Sequence, residues 1–110
     1  MNTRTVDSAG NIRYHNEQGQ LHRTDGPAVE RANGVRGWYR NGELHREDGP
    51  AAEWADGTLG WFLNGRRYSF CEWIRKIEVS TEQRDELITR YKRIDDEYWR
   101  NFFSEKHYSD

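Results

Sequence analysis

The sequence predicts an α+β protein, in which an N-terminal array of antiparallel β-hairpins forms a single-layer meander and two α-helices follow at the C-terminal side. Three observations predict it. A block recurs with a period of twenty-three residues, Asn41-Gly42-Glu43-Leu44-His45-Arg46-Glu47-Asp48-Gly49-Pro50-Ala51 echoing Gly19-Gln20-Leu21-His22-Arg23-Thr24-Asp25-Gly26-Pro27-Ala28. All ten glycines and both prolines lie at or before Gly65, and the last forty-five residues have none, so turn-rich structure gives way to helix. Beyond Arg67 the apolar spacing changes from alternation to steps of three and four.

The echo continues downstream, with Asn33-Gly34 returning as Asp56-Gly57, Trp38-Tyr39 as Trp61-Phe62 and Asn41-Gly42 as Asn64-Gly65. Upstream, Gly10 through Gly19 reads as a worn copy, one residue longer, with Tyr14-His15 at the aromatic pair. Degenerate end copies are usual in repeat arrays. Asn33-Gly34 and Asp56-Gly57 predict two-residue type I′ hairpins. In that register Val29 falls opposite Trp38, Ala28 opposite Tyr39, Trp54 opposite Leu59, Ala52 opposite Trp61 and Ala51 opposite Phe62, small residues facing rings. Gly37 and Gly60 would lie across from Glu30 and Glu53 and let a ring approach closely. Asn41-Gly42 and Asn64-Gly65 propose further reversals, the first pairing Arg40 with Glu43 and Tyr39 with Leu44. The array is expected over residues 10–68.

Ser69 with Glu72 fits a capping box, and Phe70, Trp73, Ile74 and Ile77 share one helical face, which predicts a short helix over 69–79 lying on the open end of the array and covering Trp61. A second helix is expected over 81–103, capped near Ser80-Thr81 with Gln83. Its seam is Leu87, Tyr91, Ile94, Tyr98 and Phe102. Ile88, Trp99 and Phe103 lie just outside the seam and widen the apolar face beyond what one neighbour needs. Two readings stand for them: they complete packing on the hairpins, or they form a homodimer or receive a partner.

Composition narrows the function classes. The chain has 110 residues and a formal charge of −2, the length of one domain (1–110) with no electrostatic reason to seek nucleic acid or anionic membranes. Neither half is lopsided: residues 1–66 carry eight Arg against nine acids, and 67–110 nine basic residues against ten. Apolar residues make up 34%, yet there are five Trp, six Tyr and four Phe, so the core is expected to be small and aromatic. Cys71 is the sole cysteine, and Met1-Asn2-Thr3-Arg4 has no apolar leader segment, from which a host-cell cytoplasmic location without membrane insertion is expected.

His-Arg-x-Asp-Gly-Pro, at His22 to Pro27 and His45 to Pro50, most resembles a chemical site. His22, Asp25, His45 and Asp48 could converge on a metal, but a repeat translates its residues along an array, whereas a metal needs three or four ligands aimed at one point. The alternative is structural: Asp starts the turn, Arg pairs with it or stacks on a ring, and His hydrogen-bonds across it. Cys71, in the first helical turn, has no His that the sequence can place beside it. No phosphate-binding glycine loop occurs. A nucleic-acid reading would stack bases on Trp38 and Tyr39 with Arg31, Arg36 and Arg40 nearby, although Glu30, Glu43, Glu53 and Asp56 are interleaved with them.

Residues 38–51, Trp-Tyr-x-Asn-Gly-x-Leu-His-Arg-x-Asp-Gly-Pro-Ala, resemble the divergent variant of the MORN repeat, and the likeness extends over roughly residues 10–75. This variant is similar to repeats of many bacteriophage and large-virus proteins, and more distantly to MORN-variant antitoxins. The resemblance implies hairpin units and transfers little mechanism; the non-enzymatic expectation rests on the repeat, the lack of a catalytic constellation and the wide second helix. Taken together, the expectation is a non-enzymatic protein-interaction module of bacteriophage origin that binds and inhibits a host protein such as a defence nuclease or toxin, in an anti-defence or antitoxin-like role, and that uses Arg36, Trp38, Ile88, Trp99 and Phe103, with no catalytic residue, metal or cofactor. A homodimer through the second helix is the further partner expectation, and single-stranded nucleic acid is the alternative.

Overall fold

The computed structural model describes residues 2–91. Its strands are β1 (Thr3–Val6), β2 (Ile12–His15), β3 (Val29–Glu30), β4 (Arg36–Gly37), β5 (Tyr39–Arg40), β6 (Glu43–Leu44), β7 (Ala52–Glu53), β8 (Leu59–Leu63) and β9 (Arg66–Tyr68). Helix α1 spans Phe70–Lys76, and α2 occupies residues 81–91 as far as the described residues reach. A seven-stranded antiparallel sheet runs in the order β1-β2-β3-β4-β7-β8-β9, and β5-β6 forms a two-stranded hairpin beside it. This is the expected hairpin meander followed by helices. It begins earlier than residue 10, because Thr3–Val6 pairs with Ile12–His15 and completes a first hairpin.

The turns differ from expectation in a way that moves every cross-strand pair. Asn33-Gly34 and Asp56-Gly57 do not make two-residue turns. Arg31 N–H donates to Val35 O at 2.8 Å and Gly34 N–H to Arg31 O at 3.0 Å, so the loop has three residues, Ala32-Asn33-Gly34. Gly34 takes positive φ (97°) and Asn33 does not, the signature of a tight turn followed by one left-handed residue. Asn33 Oδ1 instead accepts from Val35 N–H, and Asp56 Oδ1 from Thr58 N–H in the equivalent loop. The extra loop residue shifts the register by one, placing Val29 opposite Gly37 and Ala52 opposite Gly60. The expected pairs of Val29 with Trp38 and Ala52 with Trp61, and the others of that register, are therefore replaced.

The two-residue turns sit at the other dipeptides. Asn41 and Gly42 have φ of 51° and 85°, and Asn64 and Gly65 have 50° and 81°, the double positive φ of a type I′ hairpin. Tyr39 accordingly faces Leu44, and Arg40 faces Glu43. The added residue of the worn copy lies at the corresponding reversal. There Asn16 N–H bonds Gln20 O and Gly19 N–H bonds Asn16 O, which makes Glu17-Gln18-Gly19 a three-residue loop.

Ala28 N–H donates to Gly37 O although Val29 is the register partner of Gly37, and Ala51 N–H likewise reaches Gly60 O beside Ala52. Two residues thus face one glycine, a β-bulge that sharpens strand twist. The twist brings rings over the glycines. A Cβ on Gly37 would lie 2.8 Å from Tyr39 Cε1, and one on Gly60 would lie 2.8 Å from Phe62 and 3.0 Å from Trp54.

The main core lies where the array stops. Trp61 packs edge-on against Phe70 with centroids 4.9 Å apart, against Trp73 at 4.6 Å and against Tyr91 at 5.0 Å, with Ile74, Ile77 and Leu87 around them. Seven residues are too few for a helix to be stable alone, so α1 depends on this packing and on its caps. Ser69 and Glu72 form the reciprocal capping box that the sequence predicts. The helix ends at Lys76 rather than 79, because Ile77 swings to ψ 149°. Arg84 of α2 then donates to the carbonyls of Ile74 and Ile77, tying the two helices together. Ser80 and Gln83 form the second capping pair. Leu87 and Tyr91 of the expected seam reach the core; Ile94, Tyr98 and Phe102 lie outside the described residues.

Two outcomes are expected. Gly60→Ala must displace one of two aromatic rings and lowers stability by about 1–3 kcal/mol in urea denaturation; an unchanged midpoint would show that the rings do not rest on the glycine. In the first hairpin the Asn11 backbone amide, foremost, with the Asn11 side chain, Arg13 and Ala9, holds the Asp7 carboxyl from its ordinary 3.8 down to about 2. Because the folded value lies below the unfolded one, this contribution is present above pH 3.8 and lost as pH falls toward about 2. A carboxyl NMR titration of Asp7 should show a midpoint near 2, whereas one at the ordinary carboxylate value would mean the cage is open.

Candidate functional site

The two His-Arg-x-Asp-Gly-Pro loops fold back over the sheet, and their side chains explain the motif position by position. Arg46 Nε donates to Asp48 Oδ1 at 2.7 Å and Nη1 to Pro50 O at 3.0 Å, while its guanidinium lies 3.9 Å from the Trp38 ring centroid. Arg23 repeats this on Asp25 (2.8 Å), Pro27 O (3.2 Å) and the Tyr14 ring (4.1 Å). Glu53 and Glu30 add a second carboxylate to each, at 3.6 and 3.4 Å. The glycine is required by space: a Cβ at Gly49 or Gly26 would sit 2.7 or 2.9 Å from the guanidinium carbon. The hydrogen bond and charge of Arg23 hold the Asp25 carboxyl below the usual carboxylate range.

Histidine joins each unit to the next. Asn41 N–H donates to His22 Nδ1 at 3.0 Å, and Asn64 N–H to His45 Nδ1 at 2.9 Å, so the imidazole satisfies the amide at the start of the following type I′ turn. It therefore bonds across to the next unit rather than across its own turn. With Nδ1 accepting, the neutral His45 ring carries its proton on Nε2, 3.0 Å from Glu47 Oε2. Thr24 stands at the Glu47 position in the first loop. Backbone bonds flank each histidine: Gly42 N–H to Leu21 O, Arg23 N–H to Tyr39 O, and the same pair one period later.

Between the two loops lies an open groove of about 540 Å³, floored by Trp38 under its Arg46 lid and bounded by Arg40, His45, Glu47 and, from the α1–α2 connection, Glu78 and Val79. Asp25 and Asp48 stand on its rim with side chains 81% and 83% exposed. Among the described residues, every buried side-chain nitrogen and oxygen has a hydrogen-bond partner, and no three His, Cys, Asp or Glu side chains gather as a metal centre requires. His22, Asp25, His45 and Asp48 serve instead in the contacts above. Cys71 sits exposed in the first turn of α1.

The sequence-selected residues do not form one surface. Trp38 lines the groove, whereas Arg36 is an exposed side chain of the internal strand β4, with Glu53 at 3.9 Å. Ile88 is half-buried and packs against the Trp61 core, so part of its side chain contributes to packing on the array, the first of the two readings of that helix face. Trp99 and Phe103 lie outside the described residues. Trp38 and Tyr39, the proposed base-stacking pair, are successive residues of an extended segment, one covered by Arg46 and the other laid over Gly37, so they do not make one platform. Glu78, Val79 and Arg84 went unnoticed in the sequence; the basic residue one turn into α2 was the available signal for a cap on α1.

No protein-family model, curated protein or solved structure matches this chain. Among the described residues no helix is long and apolar enough to cross a membrane.

His45→Ala should cost about 1–2 kcal/mol, since both Asn64 N–H and Glu47 lose a partner, and His22→Ala should cost less because Thr24 replaces the carboxylate. Thermal melts of the two variants compare them directly, and equal losses would deny the Glu47 contact any share.

Proposed function

We propose that this chain is a non-enzymatic protein-interaction module that seats a segment of a partner protein in the groove between its two loops. The observation that carries the reading is where the reactive-looking groups go. The histidines of both copies join one unit to the next and the arginines and aspartates hold their own loops on the sheet, while the groove between the loops stays open to solvent. A rim of carboxylates around an arginine-capped tryptophan suits polar and aromatic contact, and Trp and Arg are the side chains that most often anchor interfaces.

The likeness of residues 38–51 to divergent MORN repeats of phage proteins points to a bacterial host protein as the partner, a defence nuclease or toxin that the module binds and inhibits in the host cytoplasm. Affinity purification from a bacterial host, followed by mass spectrometry, should return a stoichiometric protein. That protein should be lost with Arg40→Glu plus Glu78→Lys, which change the groove wall without touching the Arg46 lid, and retained with Arg36→Glu. Recovery of no such protein would refute the module; loss with Arg36→Glu alone would move the contact to the strand face.

A further inference from the structure

Within the array each later hairpin offers its first strand to the second strand of the hairpin before it. Glu30 and Val29 pair with Ile12 and Arg13 at the β2–β3 junction, and Glu53 and Ala52 pair with Arg36 and Gly37 at β4–β7. The corresponding residues of the first hairpin are Val6 and Thr5, in β1. Among the described residues no strand lies on the outer side of β1; all four of its residues are exposed, and Val6 is 52% exposed. The edge filled twice inside the array is thus present a third time without its strand.

The hairpin sets which backbone groups that edge offers. Asp7 N–H bonds Asn11 O at the turn, so by the alternation of an antiparallel ladder Thr5 turns its amide and carbonyl toward Arg13, and Arg4 and Val6 turn theirs outward. The internal junctions use the equivalent groups: Ala28 O, at the Arg4 position, accepts from Tyr14 N–H at 2.8 Å, and Ala51 O from Trp38 N–H at 2.7 Å. The far end of the array, at β9, is finished differently. There Trp61 is buried beneath Phe70 and Trp73, and Ser69 N–H, at the place of Arg23 and Arg46, is taken by Glu72.

We propose that β1 is a self-association edge, on which a second copy of this chain lays its own β1 antiparallel about a twofold axis at Thr5. In this register Arg4 faces the partner subunit's Val6 and Val6 faces the partner subunit's Arg4, so every outward amide and carbonyl of the two strands finds its complement. Threonine meets threonine on the axis, a favourable cross-strand pair. A two-residue shift one way would set arginine against arginine, the same shift the other way would set Val6 against Val6 but run Arg4 onto Ser8 in the turn beyond the end of β1, and a one-residue shift would set outward groups against inward ones. Because a twofold contact uses the same edge of both chains, association through it closes at two chains. So short an edge buries less than the roughly 1,200 Å² of a standard interface, so the dimer is weak and concentration-dependent.

The test uses the full chain with Cys71→Ser. Under mild oxidation Thr5→Cys should yield a covalent dimer and Thr3→Cys should not, because only the axial, non-hydrogen-bonded position brings the two sulfurs within bonding reach. Independently, hydrogen exchange of the Arg4 and Val6 amides should slow by roughly tenfold as protein concentration rises, with Thr5 unchanged. Val6→Glu should tighten the dimer and Val6→Lys loosen it, by opposite charge pairing with Arg4. Equal cross-linking at Thr3 and Thr5, equal effects of the two Val6 variants, a chain that stays monomeric, or a dimer whose Arg4 and Val6 amides exchange as before would each overturn the proposal.

Discussion

Arg46 lies 3.9 Å from the centre of the Trp38 ring while its Nε and Nη1 hold the Asp48 carboxylate and the Pro50 carbonyl, and one side chain thereby ties a loop onto a sheet that has no continuous second layer. A single-layer sheet cannot bury its aromatic residues by itself. The loop supplies the cover. Stacking of a guanidinium on an indole contributes on the order of 0.5–2 kcal/mol, and hydrogen bonds to a charged group about 1.5–3 kcal/mol each. Both act here through the same atoms, and the glycine two residues before Ala51 exists so that they can.

The same constraint explains how the array ends. At the third unit the positions of histidine and arginine hold Tyr68 and Ser69, so no guanidinium is available to cover Trp61. Phe70 and Trp73 cover it instead, and the Trp73 indole N–H donates to Arg46 O at 2.9 Å, fastening the helix to the preceding loop. Ser69 N–H would otherwise have sought a carbonyl in a following unit; the capping box satisfies it. A change of covering group, from cation to aromatic helix face, converts a repeat that could continue into a closed end.

Engagement of the motif in architecture bears on its chemistry. A histidine that accepts a backbone amide on one nitrogen and meets a carboxylate with the other is committed to holding two units in register. What the array leaves accessible is shape and backbone: a groove between consecutive loops, and a strand edge at its N-terminal side. In the proposed readings the first would meet a partner through side chains and the second a second copy through main-chain hydrogen bonds.

Much of this was legible in the residues. The period announced hairpins, the capping boxes at Ser69 and Ser80 placed both helix starts, and the three-and-four spacing from Phe70 to Ile77 identified the face that covers Trp61, because caps and periodicity are local and need no knowledge of neighbours. The glycines at 37 and 60 were readable as points of close ring approach for the same reason. The register was not, since Asn-Gly and Asp-Gly serve equally in two- and three-residue loops, and the choice rests on whether the residue before glycine takes positive φ or lends its side chain to the next amide. The sheet's first strand escaped notice because Thr3–Val6 belongs to no full copy of the repeat. The partner of each histidine lies nineteen residues away in the following turn, and the packing of Ile88 depends on how α2 rotates against the array. Sequence by itself determined the units and where they stop, through turn chemistry and periodicity; how one unit grips the next was decided only when folding brought each imidazole to the amide of the following turn.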